Sequence, residues 1–208
     1  MLFSQELMSI ASAAERELSG IFADIDRISQ VNTGRVLDAF AARRVSDAMF
    51  APTSGYGYGD RGRDTLDEVF SDVFGTEAAL VRHNIVNGTH ALSVALFGLL
   101  RPGDVMLSVT GKPYDTLDRV IGLSGGSGDG SLRDFGVLYR ECALGADGGI
   151  DYPALDAAAR DCGDAVRVVY AQRSKGYMNR RTLFAREIDE LTEYVRRCLP
   201  GAYVVVDT

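Results

Sequence analysis

Apolar residues recur at helical spacing through the first part of the chain. The recurring positions fall on one helix face, at intervals of three or four residues: Leu18, Ile21, Phe22, Ile25 and Ile28. A second apolar run follows a break at Asn-Thr-Gly, residues 32–34. The pattern predicts a helical arm of two helices over residues 1–50, with an apolar stripe suited to a partner surface.

The rest of the chain alternates between helical spacing and short, nearly continuous apolar runs. The runs at 105–109, 166–171 and 203–206 are typical of strands covered on both faces. Helical stretches are predicted at 66–73, ending at Gly75, and at 89–100, 114–121, 153–162 and 183–199, with loops at 51–59 and 122–130. Strand and helix in alternation predict an α/β domain with a mainly parallel sheet over residues 51–208.

Composition narrows the class of protein. With 208 residues, 46% hydrophobic and 25% charged, the chain is expected to fold as one domain or a tight pair. A net charge of -7 argues against nucleic acid as a partner. No apolar run approaches the ~20 residues of a membrane span and no signal-peptide pattern opens the chain, so we expect a cytoplasmic protein without a membrane partner. Three widely spaced cysteines fit reduced thiols, and two histidines do not favour a metal site.

Polar and glycine residues collect where the predicted strands end, which is where open parallel sheets bind ligands. Segments 110–114 and 172–174 follow two of the strands, and Asn87-Gly88-Thr89 opens a helix. Free N–H groups at a helix start, close approach at Gly88 and the hydroxyl of Thr89 suit a phosphate. The alternative is that Asn87 or Thr89 only caps the helix.

Two further residues extend this candidate site. Asp207 ends an apolar strand, so its carboxylate needs a cationic or proton-sharing partner, for which a protonated pyridine nitrogen would serve. A metal-binding or structural role is the alternative for Asp207. The flat ring of Tyr114 would stack on an aromatic cofactor, or simply pack. A phosphate cradle, a stacking ring and a pyridinium partner, in this order, are what pyridoxal phosphate requires.

Four runs of residues carry a resemblance to a known family: GYGYGDRGRD at 55–64, NGTHAL at 87–92, GKPYDTL at 111–117 and QRSKGY at 172–177. With these motifs in order along the whole chain, the sequence resembles the aluminium resistance or methionine gamma-lyase-like family. That family has the aspartate-aminotransferase fold, fold type I of the pyridoxal-phosphate-dependent enzymes. The resemblance implies the first part of the α/β cofactor-binding domain after a helical arm, a small amino-acid substrate, and a homodimer or homotetramer.

The resemblance also implies roles for individual residues. Gly88 and Thr89 would bind the cofactor phosphate, Tyr114 would stack on the ring, and Asp207 would hold the pyridinium nitrogen. Gln172 and Ser174 are candidates for the oxygen edge of the ring, or else simply a polar strand end. Tyr58 and Arg61 would reach the phosphate site of a neighbouring subunit. Tyr56 or Arg63 are the alternatives for this role.

The sequence departs from the family pattern at one point. The resemblance implies a Schiff-base lysine after the strand that ends at Asp207, where only Thr208 follows. Lys112 and Lys175, the two lysines of the chain, precede that strand and are interpreted as surface lysines. We therefore expect an amino-terminal half with no catalytic residue of its own, inactive when alone.

The sequence is compatible with three functions. The first is a lyase that cleaves a carbon–sulfur bond of a sulfur-containing amino acid, a reaction type implied by the resemblance alone. The second is a non-catalytic fragment or pseudoenzyme that still dimerises. The third is a dinucleotide-binding protein, since residues 57–62 spell G-x-G-x-x-G, but no strand precedes them and Arg82-His83 occupies the place of the expected acidic residue.

Overall fold

The computed structural model describes residues 3–54, 56 and 58–208, and it contains two compact units that divide between Asn84 and Ile85. Within the described part of the chain, no helix is both long and apolar enough to cross a membrane.

The described residues of the first unit form two α-helices, α1 (Gln5–Ala42) and α2 (Arg61–Phe74), with a short 3₁₀ turn between them at Asp47–Met49. The predicted interruption at residues 32–34 is wrong, because α1 runs through Asn32 and Gly34 without a break. A mid-helix glycine or asparagine costs only up to about 1 kcal/mol relative to alanine, which the regular turns on both sides of it offset. The prediction that the second helix stops at Gly75 is confirmed, since Gly75 adopts the left-handed conformation that ends α2.

An arginine fork joins these two helices. The Arg43 guanidinium donates to both carboxylate oxygens of Asp72, at 2.6 and 2.7 Å, and to Glu68 at 3.1 Å. This bidentate pair holds the pKa of the Asp72 carboxyl below its usual value. These bonds attach the carboxyl-terminal end of α1 to α2. Among the described residues of α1, Ala39 is the one that is buried.

The second unit is built on a four-stranded sheet. Its strands are β1 (Val105–Ser108), β2 (Leu138–Glu141), β3 (Val166–Gln172) and β4 (Tyr203–Asp207), in the order β2-β1-β3-β4 and all parallel. The predicted parallel α/β fold and its three apolar strands are confirmed. The sequence did not predict β2, because this edge strand is mostly exposed and carries arginine and glutamate instead of a continuous apolar run.

Helices cover both faces of the sheet. The helices of this unit are α3 (Gly88–Leu99), α4 (Asp118–Ile121), α5 (Tyr152–Cys162) and α6 (Ala185–Cys198). One core joins α3 and α4 to the sheet through Leu96, Met106, Leu117, Ile121 and Val168. The other joins α5 and α6 to the opposite face through Leu107, Leu155, Val169, Leu191 and Val195. Alternate residues of β3 enter opposite cores, as its continuous apolar pattern predicts.

One predicted helix is shorter in the structure. Instead of a helix over 114–121, a single 3₁₀ turn at Asp115–Leu117 precedes α4, and Tyr114 is extended, with ψ 144°. The backbone N–H of Tyr114 donates to the side chain of Gln172 at 2.7 Å. This hydrogen bond to a residue distant in sequence holds Tyr114 outside the helix.

The strand order places an opening at one edge of the sheet. From β1 the chain goes outward to β2, then returns past β1 to form β3 and β4. At such a reversal the connections leave in opposite directions, which opens a crevice outside the carboxyl ends of the central strands. In this protein that place lies above β1 and β3.

Candidate functional site

A cavity of about 500 Å³ occupies this edge of the second unit. Residues that follow β1, end β3 and β4, or begin α3 contribute to its wall. The structure brings together six of the predicted site residues in this one cavity: Gly88, Thr89, Tyr114, Gln172, Ser174 and Asp207. Their placement supports a common ligand site, because one small molecule in this space would reach all of these segments.

The amino terminus of α3 forms one wall of the cavity. Asn87 caps this helix, with its side-chain oxygen accepting from the backbone N–H of His90 at 2.8 Å. Since the cap is Asn87, the N–H groups of Gly88 and Thr89 belong to the first turn, which has no intrahelical acceptors for them. A Cβ built on Gly88 would meet no atom within 4 Å. The wall therefore offers first-turn N–H donors beside an unobstructed glycine, a combination that suits an anion.

The Thr89 hydroxyl lies beside this helix start. It donates to the Thr116 hydroxyl at 2.8 Å, and Thr116 also lines the cavity. Two hydroxyls thus accompany the helix N–H groups, and either can turn its proton toward an acceptor.

The Tyr114 ring packs against Tyr177 and lies close to Gly176. Its ring centroid is 5.4 Å from that of Tyr177, with 31° between the planes. A hydrogen bond with the Tyr177 hydroxyl raises the pKa of Tyr114 to about 12. Gly176 has a φ of +56°, and a Cβ there would lie 3.2 Å from the Tyr114 ring. Glycine at 176 therefore allows the loop to close over Tyr114.

Asp207 has a buried partner that sequence reasoning missed. The Tyr170 hydroxyl donates to Oδ2 of Asp207 at 3.0 Å, and the Tyr170 side chain is fully buried. Burial, and then the charge of Asp207, raise the pKa of Tyr170 above its usual value. Tyr170 lies within an apolar run and looks like a core residue there. The available signal was its position two residues before Gln172, which places both side chains on the same face of β3.

Gln172 connects the two loops that line the cavity. Its backbone N–H donates to the Thr110 hydroxyl at 3.0 Å, and its side-chain oxygen accepts from the Tyr114 N–H at 2.7 Å. Its Nε2 donates to the Ser174 carbonyl at 3.1 Å. The side chain thus uses one amide oxygen and one N–H on the protein itself, which leaves a second N–H for a ligand.

Arg180 was also missed by sequence reasoning. Its Nη2 donates to the carbonyls of Gln172 and Ser174, at 3.0 and 2.6 Å. Among the described residues no carboxylate lies within ion-pair distance of Arg180, and desolvation lowers its pKa. The guanidinium thus ties the loop after β3 to the carbonyls of Gln172 and Ser174, two residues that line the cavity.

The same loop is tied to α6 by an ion pair. Both oxygens of Glu187 accept from Arg181, at 2.7 and 2.6 Å, and Oε2 also accepts from the Phe184 N–H at 2.7 Å. These contacts, the Arg181 hydrogen bond first, lower the pKa of Glu187 from 4.5 to about 2. The Glu187 carboxylate therefore binds Arg181 of the loop and also caps the amino terminus of α6.

This low pKa predicts a pH-dependent stability. Because the folded state holds Glu187 ionised, its contribution is present above pH 4.5 and disappears as the pH falls toward 2. We expect Glu187→Gln to reduce the free energy of unfolding by about 1.5 kcal/mol at neutral pH. Urea titrations of both proteins between pH 7 and 2 measure this difference, which should shrink steadily below pH 4.5. A constant difference down to pH 2 would contradict the ion-pair origin, and Glu193→Gln on the same helix is the control.

The remaining predicted residues lie elsewhere. Tyr58 is 94% exposed and Arg61 begins α2, both in the first unit, so their role in a neighbouring subunit stays a prediction. Gly55 and Gly57, from the same motif, lie outside the described residues.

The two lysines also lie away from the cavity. Lys112 is exposed and donates to Asp118 at 2.6 Å. Lys175 is exposed as well, and neither lysine lines the cavity. The described residues of the first unit include no strand, so the dinucleotide motif lacks the strand that it needs.

Comparison with known proteins identifies the family. The model of the methionine gamma-lyase family matches residues 7–208. The chain belongs to this family. This result confirms the resemblance drawn from the four motifs, since the match spans nearly the whole sequence.

Individual relatives agree with this assignment. The uncharacterized protein YnbB of Bacillus subtilis (strain 168) is 47% identical over 201 residues, covering 97% of this chain and 47% of YnbB. A carbon-sulfur lyase involved in aluminum resistance from Clostridium novyi NT is 41% identical, with a TM-score of 0.91, over 98% of this chain and 48% of that one. A Listeria innocua structure, provisionally assigned as a cystathionine beta-lyase involved in aluminum resistance, is 42% identical with a TM-score of 0.91, over 98% and 49%. The chain spans about half the length of these relatives.

Proposed function

We propose that this chain forms the pyridoxal-phosphate-binding portion of a carbon–sulfur lyase that acts on a sulfur-containing amino acid. The observation that carries the proposal is the single cavity that joins Gly88, Thr89, Tyr114 and Asp207. Membership in the methionine gamma-lyase family and the name of the Clostridium novyi relative support the reaction class.

The donor set fits the cofactor. First-turn N–H groups at Gly88 and Thr89, on the wall of the cavity, suit a phosphate dianion. Tyr114 offers a flat ring at the same wall, and Asp207 offers a carboxylate whose Oδ1 has no hydrogen-bond partner among the described residues. An anion cradle, an aromatic surface and a carboxylate are the complements of a phosphorylated pyridinium ring.

Each of these residues contributes a separate part of the mechanism. When bound, pyridoxal phosphate supplies an electron sink for negative charge that develops on the α-carbon of the substrate. Asp207 would hold a proton at the ring nitrogen, since a nearby carboxylate favours the charged form of a base. The Gly88–Thr89 turn would fix the phosphate, and Tyr114 would cover the ring and exclude water. The free N–H of Gln172 would bind the oxygen edge of the ring.

The two lysines do not add a covalent anchor to this site. Neither Lys112 nor Lys175 lines the cavity, and the Lys112 ammonium is paired with Asp118. We infer that the chain binds the cofactor without a covalent bond, weakly, and that by itself it releases neither a thiol nor ammonia from sulfur amino acids. This lysine arrangement favours the second candidate function, a cofactor-holding portion without turnover of its own. Borohydride treatment followed by peptide mass spectrometry should find no adduct at either lysine.

The proposed site is tested by direct binding. Equilibrium dialysis of the chain should show saturable binding of pyridoxal phosphate and at least about tenfold weaker binding of pyridoxal, which lacks the phosphate. Thr89→Val should weaken binding of the phosphorylated form and leave that of pyridoxal unchanged. Thr192→Val is the matched control, because the Thr192 hydroxyl bonds to a backbone carbonyl within α6, outside the cavity. Equal affinity for both compounds would contradict the phosphate cradle.

We further propose that the chain pairs with a second copy through α1, in a homodimer or homotetramer. Its apolar stripe is unburied within the described chain, with Ile21, Ile25 and Ile28 each more than half exposed. Burying such a stripe is favourable by roughly 25 cal/mol per Å² of apolar surface.

A charge placed on this stripe tests the pairing. Light scattering coupled to gel filtration should show that the wild-type chain is associated and that Ile25→Glu shifts it to the monomer. Gln30→Glu, which adds the same charge away from the stripe, should leave the mass unchanged. A monomeric wild-type chain would rule out this surface as the interface.

A further inference from the structure

Tyr170 is a polar residue in the centre of an apolar core. It is fully buried on β3 among Leu96, Met106 and Val168, and phenylalanine would fill the same space. A hydroxyl in such surroundings costs free energy unless it is paired. Its partner is Oδ2 of Asp207 at 3.0 Å, so the phenol spans from the core to the wall of the cavity.

The sheet register explains this contact. Gln172 pairs with Asp207 across β3 and β4, and Tyr170 pairs with Val205. Side chains two residues apart on a strand share a face, so Tyr170 and Asp207 are diagonal neighbours on the side of the sheet that faces α3. Asp207 ends β4, and among the described residues the Tyr170 hydroxyl is the one hydrogen-bond donor to its side chain.

We propose that Tyr170 is a positioning residue, which holds the carboxylate of Asp207 by Oδ2 and thereby leaves Oδ1 directed at the ring nitrogen of a bound pyridine. The inference rests on the proposed function. It goes beyond that function because it assigns a role to a buried residue that does not line the cavity.

The chemistry of the donor matters as much as its position. A lysine or arginine in place of Tyr170 would neutralise Asp207 and compete with a pyridinium for it. The neutral phenol orients the carboxylate and leaves its negative charge in place. Because burial and the nearby carboxylate raise the pKa of Tyr170, the hydroxyl remains a donor at neutral pH.

The test compares Tyr170→Phe with the unsubstituted 208-residue chain, using pyridoxal phosphate labelled with ¹⁵N in the ring. We expect about fivefold weaker binding in Tyr170→Phe, the effect of one hydrogen bond. We also expect the pH midpoint of ring-nitrogen protonation, read from the ¹⁵N chemical shift, to fall. Tyr139→Phe is the matched control, since the Tyr139 hydroxyl donates to Glu141 on β2, outside the cavity, and its removal should change neither value.

The possible results separate this inference from the proposed function. Weaker binding together with a lower protonation midpoint supports positioning by Tyr170. An unchanged affinity and midpoint, with only a lower melting temperature, would show a purely structural tyrosine and overturn the inference while the proposed function stands. Failure of the unsubstituted chain to bind, or binding with the ring nitrogen unprotonated, would overturn both.

Discussion

Asp207→Asn is expected to weaken the binding of pyridoxal phosphate by about 30-fold, the effect of losing one charge-assisted hydrogen bond of about 2 kcal/mol. The neutral amide cannot favour the protonated form of the ring nitrogen, so the ¹⁵N shift of the bound ring should move to that of the unprotonated pyridine. Equilibrium dialysis and NMR spectroscopy of the labelled ligand measure the two effects.

The fold should tolerate this substitution. The Arg173 N–H donates to the backbone carbonyl of Asp207, at 2.8 Å, which the change leaves in place, and the Tyr170 hydroxyl can donate equally to an amide oxygen. We expect the free energy of unfolding to change by less than about 1 kcal/mol.

Asp156→Asn is the matched control for this experiment. Asp156 also accepts a hydrogen bond from a tyrosine hydroxyl, that of Tyr194, but it lies on α5, outside the cavity. Its substitution should leave binding unchanged. Equal losses in the two variants would mean that Asp207 acts through the fold and not through the ring nitrogen.

The sequence predicts most of the sheet because burial leaves a local signature. Strands β1 and β3 are buried on both faces and edge strand β4 is half-buried, and each is a continuous apolar run. Edge strand β2 has no such signature, since Arg140 and Glu141 face solvent. The false break in α1 has the opposite cause: residues that commonly end helices were tolerated inside a helix of 38 residues.

The site was predictable as far as strand ends and a helix start could be located. Gly88, Tyr114 and Asp207 each sit at one of these positions, and a parallel sheet brings such positions to one edge. The contacts that orient these residues join parts of the chain far apart in sequence, such as Tyr170 with Asp207 and Tyr114 with Gln172, 37 and 58 residues apart. No local pattern encodes such pairs, which depend on strand register.

Gln172→Leu is expected to have the second large effect, because it acts on stability and on the site together. The leucine removes the acceptor of the Tyr114 N–H and leaves that donor without its partner. An unsatisfied, partly buried donor costs about 1 to 3 kcal/mol, so we expect the free energy of unfolding to fall by about 2 kcal/mol. Tyr114 is released at the same time, and affinity for pyridoxal phosphate should fall by at least about tenfold.

Gln172→Glu separates the two hydrogen bonds of this amide. A carboxylate keeps the acceptor for Tyr114 but cannot donate to the Ser174 carbonyl, which still receives Nη2 of Arg180. Urea unfolding should therefore show a smaller loss for Gln172→Glu than for Gln172→Leu. Affinity should fall in both variants, since neither side chain offers the N–H that would bind the oxygen edge of the ring. If the glutamate variant lost as much stability as the leucine variant, the Tyr114 contact would not be the bond that sets the geometry of the cavity, and the Gln172–Ser174 bond would take that role.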